Sequence, residues 1–457
     1  MNRFALVVFA IALAVGAVLR FADLGALQMS ADEGATWAAA DASSVRDVIT
    51  IQATHNAGKL PFDDLVLHAW IEVFGDGLPA MRSLSSLFGM IAIALMIPAT
   101  REVFRISHDD ANGFTPEQID SIAAIAALLC AVSLITIKYT REARMYALLL
   151  AFAIAQMWVF LRAVRRDAWA DYLALALLTA GLVACSLVTA SMIATEGIWL
   201  MYILIRREMR RAIIAGVAIL AGIAMLSPAL IAMISNNAPR VENGLVDWLT
   251  MPPWWEPAAL FNKATGSIAF PVLVVLAIWG IARTWSRVRE ALSFALLWMW
   301  APPIILVIGS HWWRPMFVER FVLFAFPPFF ILIALGLWEL RANRTRIAAI
   351  AAVVLLSLGH VYEYSRKSHD VDWHAAARVA QATLAPGDTV AVTPAYAVEV
   401  VRYYMNPELR AFAVPARGPL TSRIVIVGST GERTATDFAN AYPHVLAYAR
   451  GTVVRSR

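Results

Sequence analysis

Charge is what this chain has least of. Only 16% of its 457 residues are Asp, Glu, Lys or Arg, while 60% are hydrophobic; a soluble chain carries roughly a quarter charged residues. With a mean hydropathy of +0.65, a large water-soluble helical core is excluded, because long apolar runs recur between short basic clusters. Cysteine is scarce too. Cys130 and Cys185 are the two present, both inside apolar runs, and read as small buried side chains instead of a disulfide or metal pair. Neither standard glycine-rich phosphate loop occurs. Runs of Lys and Arg interleaved with aromatics are also missing, so the net charge of +5 does not describe a phosphate-tracking groove, and nucleic acid is not an expected partner.

What is there is a series of apolar segments long enough to cross a bilayer, which takes about 20 residues. They fall at roughly 4–22, 82–100, 119–137, 146–162, 170–186, 188–205, 212–233, 267–282, 291–309, 320–340 and 345–362, about eleven helices in all. The first could pass for a signal peptide, but with so many spans behind it a retained anchor is expected. If Arg3 is cytoplasmic, every short loop on its side is basic: Arg101 and Arg105, Arg162 to Arg166, Arg206 to Arg211, Arg283 to Arg289, and Arg341 to Arg346. That is the charge asymmetry that insertion requires. It places the N-terminus in the cytoplasm and the C-terminus outside.

The segment Phe62 to Phe74 decides the parity of this scheme. It is short and interrupted by Asp63, Asp64, His68 and Glu72, so it is expected to lie at the outer surface. The expected fold is therefore an all-α polytopic membrane protein with interfacial helices in its first outer loop, residues 23–81. The membrane domain runs over 1–362 and a small outer α/β domain over 363–457. In that tail, Asp372 opens an amphipathic stretch to about Leu384, Pro386-Gly387-Asp388 is a turn, and Thr389–Thr393 and Arg423–Val427 are short buried strands, with helical stretches between and after them. The outer loop Ser235–Gly266, with Pro252-Pro253-Trp254-Trp255, suits an interfacial aromatic belt.

Chemistry concentrates on the outer face. Asp32-Glu33 follows the first span, and a carboxylate near a membrane surface can serve as general base for an acceptor hydroxyl, its neighbour orienting it; two solvated loop acids are the plain alternative. Arginines gather at the outer ends of the spans: Arg20, Arg82, Arg141, Arg144, Arg314 and Arg320. Guanidinium forks bind phosphate oxygens bidentately, against the alternatives of snorkelling at the interface or pairing with Glu142 and Glu319. His55, Lys59 and His68 lie in or beside the interfacial helix. They suit structural or acceptor-contact roles better than a metal, for which no tight spacing exists.

An ordered series of motifs resembles the C-type membrane glycosyltransferases, in particular the branch of protein O-mannosyltransferases, the aminoarabinose transferase of lipid A and bacterial lipopolysaccharide-core glycosyltransferases. Asp32-Glu33 matches the acidic pair of the family's first outer loop. Leu67-His68-Ala69-Trp70 to Phe74-Gly75-Asp76, then Met81-Arg82, follows its interfacial helix and arginine-started span. Tyr139-Thr140-Arg141-Glu142-Ala143-Arg144-Met145-Tyr146 is similar to its second outer loop, and Arg320-Phe321 to Pro327 resembles a late Arg-Tyr…Pro signature with Phe for Tyr. Where the family carries His-Pro-Pro-Leu, this chain has Lys59-Leu60-Pro61-Phe62.

The resemblance implies sugar transfer from a polyprenyl-phosphate donor to a hydroxyl of a lipid, lipopolysaccharide, glycan or protein, with inversion, on the periplasmic face of a bacterial inner membrane. It implies Asp32 as base supported by Glu33, phosphate contacts from Arg82, Arg144, Arg320 and Arg141, further contacts from His55, Lys59, His68 and Tyr146, and neither metal nor cofactor. The rival readings are a lipid-linked oligosaccharide ligase or polymerase, a flippase-type transporter, and a non-catalytic scaffold.

Overall fold

The computed structural model describes the chain except at residues 56–57, 107–112, 243–248, 267, 367–370, 417–421, 429–437, 439–440, 450–451 and 457, and, for side chains, 237–242 and 366. The chain divides into two compact units. One comprises Met1–Ala22, Ala57–Asp63 and Arg82–Ser365; the other comprises Asp23–Asn56, Asp64–Met81 and Arg366–Arg457.

The first unit is helical. Among the described residues, seven helices are long and apolar enough to cross a membrane: Arg3–Phe21, Leu78–Arg105, Tyr146–Arg166, Leu187–Ile205, Arg289–Trp312, Glu319–Trp338 and Asn343–Ser365. Three bent pairs raise the count to as many as ten, and Trp169–Cys185 is a shorter apolar helix. Each of the eleven expected segments falls on one of these. The bends themselves were not expected. Pro116–Val132 turns by 60° into Leu134–Thr140, Met209–Met225 by 53° into Ser227–Asn236, and Glu256–Thr265 meets Ala269–Thr284 at 113°. Helix Glu256–Thr265 thus lies in the expected Ser235–Gly266 loop, ending at Gly266 with φ +81°, the left-handed conformation that glycine adopts without strain. Glycine also permits the closest helix approach. A Cβ on Gly336 would sit 1.9 Å from the carbonyl oxygen of Leu276, so helices Ala269–Thr284 and Phe326–Trp338 touch backbone to backbone, as small residues allow in lipid.

Two buried charged groups inside this unit find protein partners, since hydrocarbon offers none. Glu196 is fully buried and accepts from Gln156 Nε2 at 3.2 Å, which also donates to Thr179 at 2.8 Å. The bend after Val132 is the other case. Arg20, wholly buried near the end of the first helix, donates from Nη1 to Ala131 O at 2.9 Å and from Nη2 to Cys130 O at 3.3 Å and Thr136 Oγ1 at 3.2 Å. Arg141, just past Leu134–Thr140, returns the contact, donating to Leu19 O at 3.1 Å and Ala22 O at 2.7 Å. Each arginine satisfies carbonyls that a helix end or break leaves without helical donors. The two segments are locked together at both places.

The second unit joins the first loop to the tail. Helices Ala31–Ala40, Val45–His55 and most of Phe62–Phe74 belong to it; the last of these has the bounds expected of the interfacial helix. In the tail, Asp372 caps helix Trp373–Thr383 by accepting from Ala375 N, and Gly387 makes the expected turn at φ +86°. Five strands follow: β1 Val390–Thr393, β2 Ala413–Pro415, β3 Ile424–Gly428, β4 His444–Ala449 and β5 Thr452–Ser456. They form one sheet in the order β2-β1-β3-β5-β4. β1 runs parallel to β2 and β3, while β5 is antiparallel to β3 and β4. β1 and β3 are buried along their whole length, which is why unbroken apolar runs mark them. The helical stretch expected directly after β3 falls mostly on residues outside those described; the last described elements form the antiparallel pair β4–β5, whose Val-Leu-Ala-Tyr and Thr-Val-Val runs carry the β-branched and aromatic residues that favour strands.

Replacing Arg20 with Leu is expected to cost about 2–4 kcal/mol, because buried carbonyls at the bend lose their donor. The thermal midpoint in detergent should fall, with Arg20→Lys recovering part of the loss; an unchanged midpoint in Arg20→Leu would contradict the assignment.

Candidate active site

Asp32 owes its place to a helix start. Ser30 Oγ accepts from Glu33 N at 3.2 Å, and Glu33 Oε2 accepts from Ser30 N at 2.9 Å, the reciprocal capping box. Glu33 is 1% exposed, and its carboxylate completes the helix cap. Asp32 stands half-buried in the first turn, where backbone N–H groups have no helical acceptor. The helix it opens is held by the tail. Gly34 lies where a Cβ would come within 2.7 Å of Val400, and Trp37, buried, meets Tyr403 edge-on at 5.2 Å beneath the Arg410 guanidinium at 4.8 Å. Just before the helix, Met29 N donates to Tyr404 Oη at 2.8 Å and Gln28 Nε2 to Asp372 at 2.6 Å.

His55 and His68 each contact backbone or a carboxylate within this unit. The His68 ring nitrogen Nδ1 is 2.7 Å from Ala40 O, at the end of Asp32's helix. His55 places Nδ1 3.0 Å from Ile51 O and Nε2 3.0 Å from Glu399 Oε1, with Arg402 also donating to Glu399 at 2.8 Å. Both neighbours of His55 are acceptors, so the imidazolium, a donor at each nitrogen, satisfies both.

In the helical unit the expected arginines divide into two kinds. Arg20 and Arg141 bind backbone carbonyls, as described above. Arg82, 5% exposed, lies one turn before Ser85, whose hydroxyl is 3.5 Å from Arg144 O. Arg144 lies 5.9 Å from the Tyr146 ring, Tyr146 lies 6.3 Å from Phe321, and Arg320 lies 5.5 Å over Phe321. Arg144 and Arg320, far apart in sequence, thus flank one aromatic pair, and the helix carrying Arg82 joins the Arg144 backbone through Ser85. Tyr146 is fully buried and acts as the floor between them. Lys59, 5% exposed, is ion-paired to Asp63 at 2.5 Å. Arg314 rests on the Trp313 ring at 5.1 Å.

Sequence reasoning missed the partners of Glu319. Its carboxylate accepts from Tyr139 Oη at 2.6 Å and lies 3.5 Å from Lys138, an arrangement with no local signature across 180 residues. The Ser30-to-Glu33 capping box, by contrast, was readable from four consecutive residues.

The architecture is ArnT-like. Against the crystal structure of ArnT from Cupriavidus metallidurans in the apo state the TM-score is 0.66 at 15% identity, covering 99% of this chain and 97% of that one. With the same protein bound to undecaprenyl phosphate the TM-score is 0.62, at the same identity and coverage. The oligosaccharyltransferase of Archaeoglobus fulgidus, tethered to an acceptor peptide containing the NVT sequon, gives 0.53 at 12% identity over 92% of this chain and 65% of that one. The resemblance read from short motifs is thus matched by a common fold and a multi-pass membrane architecture. No family model matches the chain, and no curated relative matches it.

The His55–Glu399 pair gives stability a pH signature. The hydrogen bond to Glu399 is the main cause that raises the imidazole above its ordinary 6.5, opposed by burial. A raised folded-state value means that the stabilisation is complete below the unfolded value and is lost as pH climbs through the folded one. The thermal midpoint of the full chain should therefore decline as pH is raised above 6.5, and His55→Gln should remove that component. Identical pH profiles for the two proteins would exclude the pair as its source.

Proposed function

We propose that this protein is a membrane glycosyltransferase that moves a sugar from a polyprenyl-phosphate donor to an acceptor hydroxyl. The observation that carries the reading is the placement of Arg144 and Arg320 about Tyr146 and Phe321, with the helix of Arg82 joined to the Arg144 backbone through Ser85, in a fold shared with a protein crystallised with undecaprenyl phosphate. Guanidinium groups at a bilayer surface suit a lipid phosphate because they match its oxygens in geometry as well as in charge. Their preorganisation stabilises the negative charge that grows on the phosphate as the glycosidic bond breaks.

Asp32 is the base. It takes the proton of the acceptor hydroxyl, the acceptor oxygen bonds to the anomeric carbon, and the carbon–oxygen bond to phosphate breaks with its electron pair leaving on the phosphate. One displacement inverts the anomeric centre. A phosphate leaving group needs little protonation, so a second, acidic carboxyl is unnecessary. Glu33 fixes the helix that presents Asp32, and Arg141 fixes the segment that presents Arg144. His55, His68 and Lys59 act as positioning residues through Glu399, Ala40 and Asp63. The acceptor class is a lipid, glycan or protein hydroxyl, as the resemblance implies.

The orientation follows from the basic loops. The ends carrying Arg101, Arg165, Arg206, Arg287 and Arg346 face the cytoplasm by the positive-inside rule. The reaction then takes place on the periplasmic face of a bacterial inner membrane.

Purified protein in detergent, offered a panel of labelled polyprenyl-phosphate sugars, should release sugar from one donor to water or to added membrane acceptors. Asp32→Asn should lower that turnover by about 100-fold or more while leaving the thermal midpoint unchanged. Wild-type turnover in Asp32→Asn would remove Asp32 from the mechanism, and a folded wild type inert with every donor would sink the reaction class.

A further inference from the structure

A second cavity lies at the opposite end of the helical unit. Its volume is about 660 Å³, within the usual range for a ligand site. Helix Tyr146–Arg166 relates it to the arginine cluster: Tyr146 begins the helix, whereas Leu161 and Arg165 in the last turns line the cavity. At 1.5 Å per residue, Tyr146 and Arg165 are about 28 Å apart along the axis. This cavity is therefore separate from the candidate phosphate site. It opens where the loops are basic.

Its walls combine two chemistries. Four arginines line it, Arg165, Arg206, Arg211 and Arg289, against two acids, Glu208 and Glu290. Arg165 is bound to Glu102 at 2.7 Å, Arg211 to Glu208 at 2.7 Å and Arg206 to Glu290 at 3.1 Å. Tyr202 donates to Glu290 at 2.9 Å, so both lining acids already hold donors. Arg289 is exposed and, among the described residues, makes no ion pair. The N-termini of helices Met209–Met225 and Arg289–Trp312 also end here, and neither has a side-chain cap, leaving backbone N–H groups available to an anion. The rest of the wall is mostly apolar, including Leu161, Val164, Ile203, Trp199 and Trp285, with Trp285 43% exposed. A basic rim over an apolar, aromatic wall at headgroup depth fits a phosphate with a hydrocarbon chain better than a freely soluble anion.

We propose that this cavity is a binding site for the phosphate-bearing headgroup of an anionic lipid in the cytoplasmic leaflet, with Arg289 and Arg206 as the principal phosphate contacts. The site is independent of sugar transfer. It would hold its lipid whether or not the opposite face is catalytic.

The test is native mass spectrometry of the full chain released from nanodiscs of phosphatidylglycerol mixed with phosphatidylcholine, with inorganic phosphate as competitor. Wild type should retain phosphatidylglycerol over phosphatidylcholine. Arg289→Gln should lower that retention, and Arg206→Gln with Arg289→Gln should lower it by roughly an order of magnitude. Arg289→Lys, which keeps the charge, should restore most of it. Thermal midpoints in phosphatidylcholine alone identify any variant that fails to fold, and the single exposed-site variant Arg289→Gln then decides. Retention unaffected by millimolar inorganic phosphate assigns the site to lipid; retention abolished by it keeps the phosphate site but assigns it to a soluble ligand. Equal retention of the two lipids, or an unchanged preference in folded Arg289→Gln and the double variant, overturns the proposal.

Discussion

The reciprocal arginine contacts between the first helix and the broken span beside it are the constraint on which the helical unit depends. Hydrocarbon supplies no donor for a carbonyl released at a helix break. A bend of 60° after Val132 is therefore tolerable only where protein donors stand ready. Arg20 supplies them for Cys130 and Ala131, and Arg141 supplies them for the end of the first helix. The bend directs the chain into the loop that carries Arg144 and leads to Tyr146. A charge that insertion scales penalise by about 2.5–3.5 kcal/mol at the bilayer centre is retained because it holds the segment leading to Arg144 in place.

The same logic separates two uses of arginine that look alike in sequence. At the outer ends of the spans, six arginines carry the same local signals: an apolar run on one side and a polar loop on the other. Their roles diverge only when distant elements meet. Arg20 turns inward to carbonyls more than a hundred residues away. Arg144 and Arg320 join through Tyr146 and Phe321. A single sequence names the set, but tertiary packing divides it.

What was legible follows from range. Segment lengths, basic loops and the 13-residue helix Phe62–Phe74 are local or periodic properties, and hydropathy with the positive-inside pattern reads them directly. β1 and β3 were legible because strands buried on both faces are unbroken apolar runs. The hairpin β4–β5 was missed because its alternation is diluted by Ala and Arg. The break after Val132 was missed because no proline or glycine at Ser133 announces it: Arg20 and the Thr136 hydroxyl supply the donors to its carbonyls. Glu33 shows the opposite failure. Its capping box with Ser30 was readable from spacing alone, yet a pair of adjacent acids draws attention to catalysis before architecture.

The account assigns lipid-phosphate binding to one group of residues and proton transfer to another, and equilibrium binding of undecaprenyl phosphate to purified variants tests that division most directly. Asp32→Asn should bind the lipid as wild type does, whereas Arg144→Gln combined with Arg320→Gln should bind it at least about tenfold more weakly, two charge-assisted contacts having been lost. Weakened binding in Asp32→Asn together with unaltered binding in the arginine variant would contradict the account.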